Sequence, residues 1–376
     1  MKKKRVVFIT NHFQYSDGVA RALIGLVNNI DPKKFDITIK PIYKCDRSLQ
    51  SELREDIKLE KCFGFYFRGF DKIAKFIPTK MLYKKFINKK YDIEVAFQCD
   101  LPTILVGNSY NQEAVHVSWM HGYALYPNEY EKCDKVVCVS KYCSDKTKQE
   151  MGKKVNVTYK YNIVDDRNIK DLSKESIKFD YESIDHPILV SVGRHSSEKG
   201  YIRLVNILSQ LYNEGYKFHV FLIGNGPEHD KIKKDIEKLN MQDVITLIGE
   251  DKNPHKYTAK SDLFICSSFS EGYSTACTEA AILGIPIITT DVPGGKEIIE
   301  DCECGILTKK DDNDLKEGIR YVLQNSQILE EWKKVMIYTS NKFTLNARKK
   351  EINYLFEEFY QLSDKKIQEE YYDNNN

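Results

Sequence analysis

Short apolar runs rich in β-branched and aromatic residues alternate along this chain with longer stretches whose apolar positions recur at helical spacing. Val6–Thr10 reads as a strand. Val19, Ala22, Leu23, Leu26, Val27 and Ile30 then share one helical face, and Phe35–Ile39 is the next strand. Ile93–Phe97, Ala114–Ser118, Lys135–Val139 and Val155–Tyr159 extend the series. This βαβ alternation predicts a parallel sheet covered on both faces. The opening Lys2-Lys3-Lys4-Arg5 followed by Val6–Thr10 mimics a signal peptide, but Asn11-His12 ends the apolar run too early, so a first strand is expected instead.

Residues 166–185 are polar and charged and break the rhythm, as an interdomain linker would. The pattern then restarts, with strands at Ile188–Val192, Phe218–Ile223, Val244–Ile248, Leu263–Cys266 and Pro286–Thr290. Helices are expected at Tyr201–Glu214, Lys231–Leu239, Thr275–Leu283 and Asp314–Gln324, and then at 326–338 and 345–362. The expected organisation is α/β: a doubly wound N-terminal domain over 1–165, the linker, a second doubly wound domain over 186–340, and a C-terminal helix with a frayed tail over 341–376.

The chain is 41% apolar and 30% charged, which excludes wholesale disorder. A net charge of +2 gives nucleic acid no general foothold. No run reaches the roughly 20 apolar residues of a membrane span. The ten cysteines have neither zinc-finger spacing nor a C-x-x-C pair, which fits reduced, mostly buried thiols in a cytoplasmic protein. One segment departs from the average. Residues 61–91 hold nine basic residues against one acid, Asp71, interleaved with aromatic and aliphatic side chains. Such a segment can lie on an anionic bilayer surface; the competing reading is a solvated helix face over an ordinary core.

The chemistry concentrates at predicted strand ends. After Leu263–Cys266, a loop carries Glu271, and Ser274 or Thr275 can cap the helix that follows. Its free N–H groups make an anion site suited to phosphate. Glu279 lies about one turn into that helix, so the two glutamates can grip opposite ends of one ligand, as acceptors for paired sugar hydroxyls. After Ile188–Val192 comes Gly193-Arg194-His195-Ser196-Ser197-Glu198-Lys199-Gly200, in which Arg194 and Lys199 can neutralise a diphosphate. A surface loop with an Arg194–Glu198 pair is the plainer alternative. Gly224-Asn225-Gly226 permits close backbone approach, though it lacks the third glycine of a dinucleotide fingerprint. In the first half, Gly18 follows the first strand and His121 the strand Ala114–Ser118. Asp312-Asn313-Asp314 resembles a metal-binding D-x-D but reads as a helix start with Asp314 as its cap.

Taken together, these blocks resemble the group 4 retaining glycosyltransferases, also called glycosyl transferases group 1, of the surface-polysaccharide type. The E-x7-E motif is Glu271 to Glu279, joined by Val192-Gly193-Arg194 with Glu198-Lys199-Gly200. Asn253-Pro254, Ala259–Phe264, Tyr161–Asp165, Asp134–Ser140 and Gly18–Arg21 appear in the family's order. The resemblance implies the GT-B fold, two Rossmann-like domains facing across a deep cleft. It implies transfer of a hexose or N-acetylhexosamine from a nucleotide sugar, UDP-linked, to a glycan or lipid-linked glycan during capsule, lipopolysaccharide or related synthesis. Glu279 would bind the ribose hydroxyls, and Glu271 the donor hexose. Arg194 and Lys199 would hold the diphosphate with the backbone of Gly272, Tyr273, Ser274 and Thr275, while Gly224 admits the ligand. Gly249 and Glu250 would face the base. Gly18 would let its loop approach the donor and acceptor, and His121 would bond the donor sugar near its reacting carbon. The last helix would cross back to the N-terminal domain. Where the family often has two glycines, this chain has Asp17-Gly18, and Asp17 either points at an acceptor or caps the next helix.

Metal-free catalysis with retention is the expected chemistry, because fixed cations and helix-end dipoles would stabilise the departing diphosphate and no second carboxylate is evident as a nucleophile. No cofactor is expected, and the location is cytoplasmic or peripheral on the inner membrane face. A sugar-nucleotide epimerase on the same fold and a non-catalytic, transferase-like scaffold are the alternatives. A dehydrogenase does not fit, because no G-x-G-x-x-G follows the first strand.

Overall fold

The apolar run behind the basic N-terminus forms β1, Lys4–Phe13, in which Val6, Val7, Phe8 and Ile9 are wholly buried. Burial of consecutive residues means that both faces of the strand are covered, as the βαβ rhythm requires. The structure is a computed structural model describing residues 2–15, 17–60 and 77–373. Contacts divide the chain into two units, Met1–Ile163 with Arg348–Asn376, and Val164–Ala347.

In the first unit β1 is joined by β2 (Phe35–Cys45), β3 (Lys58–Leu59), β4 (Ile93–Ala96), β5 (Val115–Met120), β6 (Lys135–Cys138) and β7 (Val157–Tyr159). Among the described residues they form a seven-stranded sheet in the order β3-β2-β1-β4-β5-β6-β7, with every pairing parallel. The order reverses between β1 and β4. Asp17 caps the helix Gly18–Val27 by accepting from Val19 N at 2.9 Å, and Ser140 caps Lys141–Met151 in the same manner. Capping is thus one role that Asp17 fills.

The long helix Leu345–Asp373 lies mostly in this unit. Phe356 is fully buried beside Phe8 and meets Phe35 edge-on at 5.6 Å. The helix extends well past residue 362, the expected end. Its later turns are polar, but Asp364 pairs with Lys4 at 2.6 Å and Lys366 with Asp134 at 2.7 Å. Tertiary ion pairs rather than an apolar stripe hold those turns, which is why apolar spacing does not reveal them.

The second unit contains β8 (Ile188–Val192), β9 (His219–Ile223), β10 (Ile245–Gly249), β11 (Leu263–Cys266), β12 (Ile287–Thr290) and β13 (Gly305–Thr308). Their order is β10-β9-β8-β11-β12-β13, again parallel throughout, with the reversal between β8 and β11. Two parallel, doubly wound α/β units are therefore present. The expected linker is not uniformly irregular. Asp165 accepts from Arg167 N and Asn168 N, both at 3.1 Å, and starts a helix over Asp166–Leu172. That helix is tied into the second unit where Asn253 Nδ2 donates to Leu172 O at 2.8 Å. Near the other end of the unit, Asp311 rather than Asp314 caps the helix Asp312–Gln324, while Asp314 accepts from Lys309 N at 2.6 Å.

Residues 61–76 of the basic, aromatic segment lie outside the described residues. In the remainder, the helix Thr79–Phe86 buries Leu82, Tyr83 and Phe86 in the core and exposes Lys80, Met81, Lys84 and Lys85. The apolar residues of this half thus serve an ordinary core, and what reaches solvent is a basic face with one large apolar side chain. None of the described helices is long and apolar enough to cross a membrane.

The packing of Phe356 yields a stability prediction. Phe356→Ala should cost about 3–5 kcal/mol, the usual range for a buried phenylalanine. Trp119 belongs to the first unit and Trp332 to the second, so fluorescence in a Trp332→Phe background follows the first unit alone. Its urea midpoint should fall clearly; an unmoved midpoint would show that the last helix is not part of this core.

Candidate donor-binding site

In a doubly wound sheet, the loops that leave adjacent strands at the reversal point diverge and open a crevice at the carboxyl ends. In the second unit those strands are β8 and β11, and their loops are the two in which the sequence concentrates its candidates. They meet closely. Gly200 has φ +69°, and a Cβ there would stand 2.3 Å from Ser267 O, so only glycine fits. Ser267 Oγ in turn donates to Lys199 O at 3.0 Å.

This contact brings Lys199 and Glu271 together: Nζ lies 2.6 Å from Oε1, and Ser268 Oγ donates to the same carboxylate oxygen at 2.7 Å. Both side chains are largely buried, at 27% and 11% exposed. Burial works to lower the Lys199 pKa, but the charge and hydrogen bond of Glu271 outweigh it and the net shift is upward. The cation is therefore firmly protonated. Arg194 and Glu198 make no salt bridge: Arg194 is exposed, and Glu198 accepts from Ser196 Oγ at 2.5 Å, with the Arg194 charge only helping to lower the Glu198 pKa.

Ser274, not Thr275, caps the helix Thr275–Ile282, accepting from Cys277 N at 3.2 Å. Gly272 and Tyr273 lead into this cap, with Tyr273 and Ser274 buried and Gly272 and Thr275 partly exposed. The helix start thus turns its N–H groups and positive dipole end toward the loop that carries Glu271. Glu279 sits one turn inside, its Oε2 3.9 Å from His255 Nδ1. His255 is a neighbour that sequence spacing does not reveal.

Gly224 and Gly226 serve the backbone. Gly224 has φ +139°, and a Cβ there would stand 1.9 Å from Gly193 O; at Gly226 it would stand 2.5 Å from His195 O. The loops after β8 and β9 consequently interlock, with His195 N bonded to Asn225 O and Glu228 N to His195 O, both at 2.9 Å. His195 Nδ1 lies 2.9 Å from His229 Nδ1. Burial, reinforced by the charge of His229, pushes the His195 pKa down to about 4, so this histidine is neutral, and its Nε2 is buried without a hydrogen-bond partner among the described residues. Gly249 O accepts from Gly224 N at 2.7 Å, and Glu250 beyond it is exposed.

Gly18 and His121 belong to the first unit. Among the described residues, a Cβ on Gly18 would meet nothing within 4 Å. His121 follows β5, with its ring 4.4 Å from that of Phe97. Its Nε2 is buried without a hydrogen-bond partner among the described residues, and burial pushes its pKa down to about 3. A neutral imidazole with an unused polar atom suits a ligand contact better than a packing role. The reversal point of this sheet adds residues that the sequence does not single out. Gln98 Oε1 accepts from Thr10 Oγ1 at 2.7 Å and from Asn11 N at 2.6 Å, and Asn11 Oδ1 is buried without a partner.

Comparison with known proteins follows this geometry. Residues 173–338 match the family model of glycosyl transferases group 1. The chain is 27% identical over 175 residues to the N-acetylgalactosamine-N,N'-diacetylbacillosaminyl-diphospho-undecaprenol 4-alpha-N-acetylgalactosaminyltransferase of Campylobacter jejuni, covering 46% of each chain. The chain thus spans about half the length of such curated relatives. It is 19% identical to the lipopolysaccharide core biosynthesis glycosyltransferase LpsD of Rhizobium meliloti, over 75% of this chain and 78% of that one. The structure of Anabaena HepE in complex with UDP superposes with a TM-score of 0.72 at 17% identity, covering 94% of this chain and 98% of that one. The fold class is that of the GT-B glycosyltransferases. The segment that matches glycosyl transferases group 1, 173–338, is the one that carries Arg194, Lys199, Glu271 and Glu279.

Proposed function

We propose that this protein is a retaining, metal-independent glycosyltransferase that moves a hexose or N-acetylhexosamine from a UDP-sugar to a glycan or lipid-linked glycan in cell-surface polysaccharide synthesis. The observation that carries the reading is the buried Lys199–Glu271 pair beside the N-terminus of the helix Thr275–Ile282, with Glu279 one turn further on. A nucleotide sugar offers matching chemistry in the same order: ribose hydroxyls for Glu279, two phosphates for the cations and helix N–H groups, and a hexose for Glu271. HepE, whose structure contains UDP, supports the choice of nucleotide. The names of the Campylobacter and Rhizobium relatives support a diphospho-undecaprenol-linked or lipopolysaccharide-like acceptor.

The chemistry follows from where charge develops. As the anomeric C–O bond breaks, its electron pair goes to the diphosphate while the sugar gains oxocarbenium character. Lys199, held by Glu271, and the helix dipole are fixed before the reaction and need no reorganisation when that charge appears, and exposed Arg194 supplies a second cation. The acceptor hydroxyl attacks from the face the diphosphate leaves, its proton passing to the departing phosphate oxygen, so configuration is retained without a covalent enzyme intermediate. Glu271, already bonded to Lys199 and Ser268, orients the hexose. His121, neutral and with an unused nitrogen, bonds the donor sugar.

The exposed lysines of the helix Thr79–Phe86, together with the basic residues preceding them in sequence, support peripheral attachment to an anionic inner membrane face. Each basic residue near such a surface contributes about 1 kcal/mol.

Glu279→Ala should raise the donor KM about tenfold or more with kcat little changed, because it removes charge-assisted bonds made equally in ground and transition states. Arg194→Ala should lower kcat by about a hundredfold, since its target charge grows in the transition state. Steady-state kinetics separate the two, and full activity in both variants would sink the assignment. Transfer should continue in excess chelator; a strict Mn²⁺ requirement contradicts the metal-free scheme. The protein should cosediment with phosphatidylglycerol vesicles at low salt and come off as salt rises, and indifference to such vesicles would remove the membrane proposal.

A further inference from the structure

Arg203 lies on the apolar helix Tyr201–Asn213 and is only 6% exposed. A buried guanidinium persists only if its donors are satisfied. Here Nε donates to Ser267 O at 2.9 Å, Nη2 to Ser268 O at 3.1 Å and also to Ser267 O, and Nη1 to Lys310 O at 2.5 Å. Asp312 Oδ1 stands 3.6 Å from Nη1, and the guanidinium carbon lies 3.7 Å from the centre of the Phe269 ring. One side chain therefore grips three successive residues of the loop after β11, and also the chain leaving β13.

Other contacts share the hold on this loop, Ser267 Oγ donating to Lys199 O at 3.0 Å among them. Thr290 Oγ1 also donates to Ser268 O, and Phe269 N bonds to Glu198 O at 2.7 Å. Ser268 then donates its own hydroxyl to Glu271, and Glu271 holds Lys199. A continuous path of hydrogen bonds runs from the guanidinium through the Ser267 and Ser268 backbone to the carboxylate and the ammonium. A lysine at position 203 keeps the charge but loses the planar fork, so it cannot hold both carbonyls along with Lys310 O.

We infer that Arg203 is a positioning residue: by clamping the Ser267–Phe269 backbone it sets where Glu271 and Lys199 meet the donor's hexose and diphosphate. This inference rests on the proposed transfer reaction. It assigns to a buried residue outside the ligand-facing motifs a control over kcat rather than over donor affinity alone. Misplacing a catalytic side chain by about 1 Å can cost on the order of a hundredfold in rate.

The test is a double-mutant cycle on Arg203→Lys and Ser268→Ala in the full chain, with kcat expressed per folded molecule. Wild-type turnover of a UDP-sugar is measured first and judges the proposed function separately. Arg203→Lys should lower kcat about tenfold while donor KM moves less than about threefold. The double variant should be within about twofold of the worse single variant, because both changes interrupt one path. Wild-type kcat in Arg203→Lys, or effects that multiply independently, would overturn the inference. Hydrogen exchange at the amides of residues 267–275 supplies a readout that needs no turnover. Exchange should quicken in Arg203→Lys, and unchanged exchange would count against the clamp even if no donor is ever found.

Discussion

A carbonyl and a glycine set the geometry of the second unit's functional edge. Ser267 O comes so near Gly200 that a side chain there would collide with it, and this approach lets the loops after β8 and β11 sit side by side. Everything chemical at this edge depends on that proximity. Lys199 precedes Gly200 and Glu271 follows Ser267 by four residues, so the buried ion pair between them is a consequence of backbone packing as much as of charge. Parallel strands place both loops at the same end of the sheet, and the reversal of strand order between β8 and β11 keeps the crevice open there.

The two sheets share an architecture but use their edges differently. In the second unit the loops after β8 and β11 carry Lys199, exposed Arg194 and a capped helix start. In the first unit His121 carries no charge, Asn11 and His121 each have a polar atom without a partner among the described residues, and Gln98 holds the backbone of the strand end. A charged edge suits a diphosphate, and a neutral edge rich in hydrogen-bonding groups suits sugar hydroxyls.

Much of this was legible in the sequence, and the exceptions have physical causes. Ile188–Val192 and Leu263–Cys266 stand out as strands because apolar runs end there in Gly193 and in Ser267-Ser268, and the structure begins and ends them at those residues. The strand Gly305–Thr308 is hidden because it opens on a glycine at φ +138°, whose missing side chain makes room for Ile287 O. Caps are less legible: Ser274 prevails over Thr275, and Asp311 takes the place expected of Asp314, because each of these oxygens reaches the N–H three residues on. Arg203 is invisible to pattern reading. It occupies a polar position in an apolar helix, where a solvent-facing side chain is the default, and only the carbonyls of Ser267, Ser268 and Lys310 give it a reason to turn inward.

The central claim is that the edge formed by Lys199, Glu271 and the helix start at Ser274 recognises the diphosphate and sugar of a nucleotide donor. Saturation-transfer NMR with UDP-, GDP- and ADP-sugars tests it most directly, because it reads contact proton by proton and needs no acceptor. The account predicts strong transfer to the ribose and hexose protons of a UDP-sugar, suppressed by competing UDP. Absence of transfer to every nucleotide sugar, or transfer that UDP leaves untouched, would contradict it.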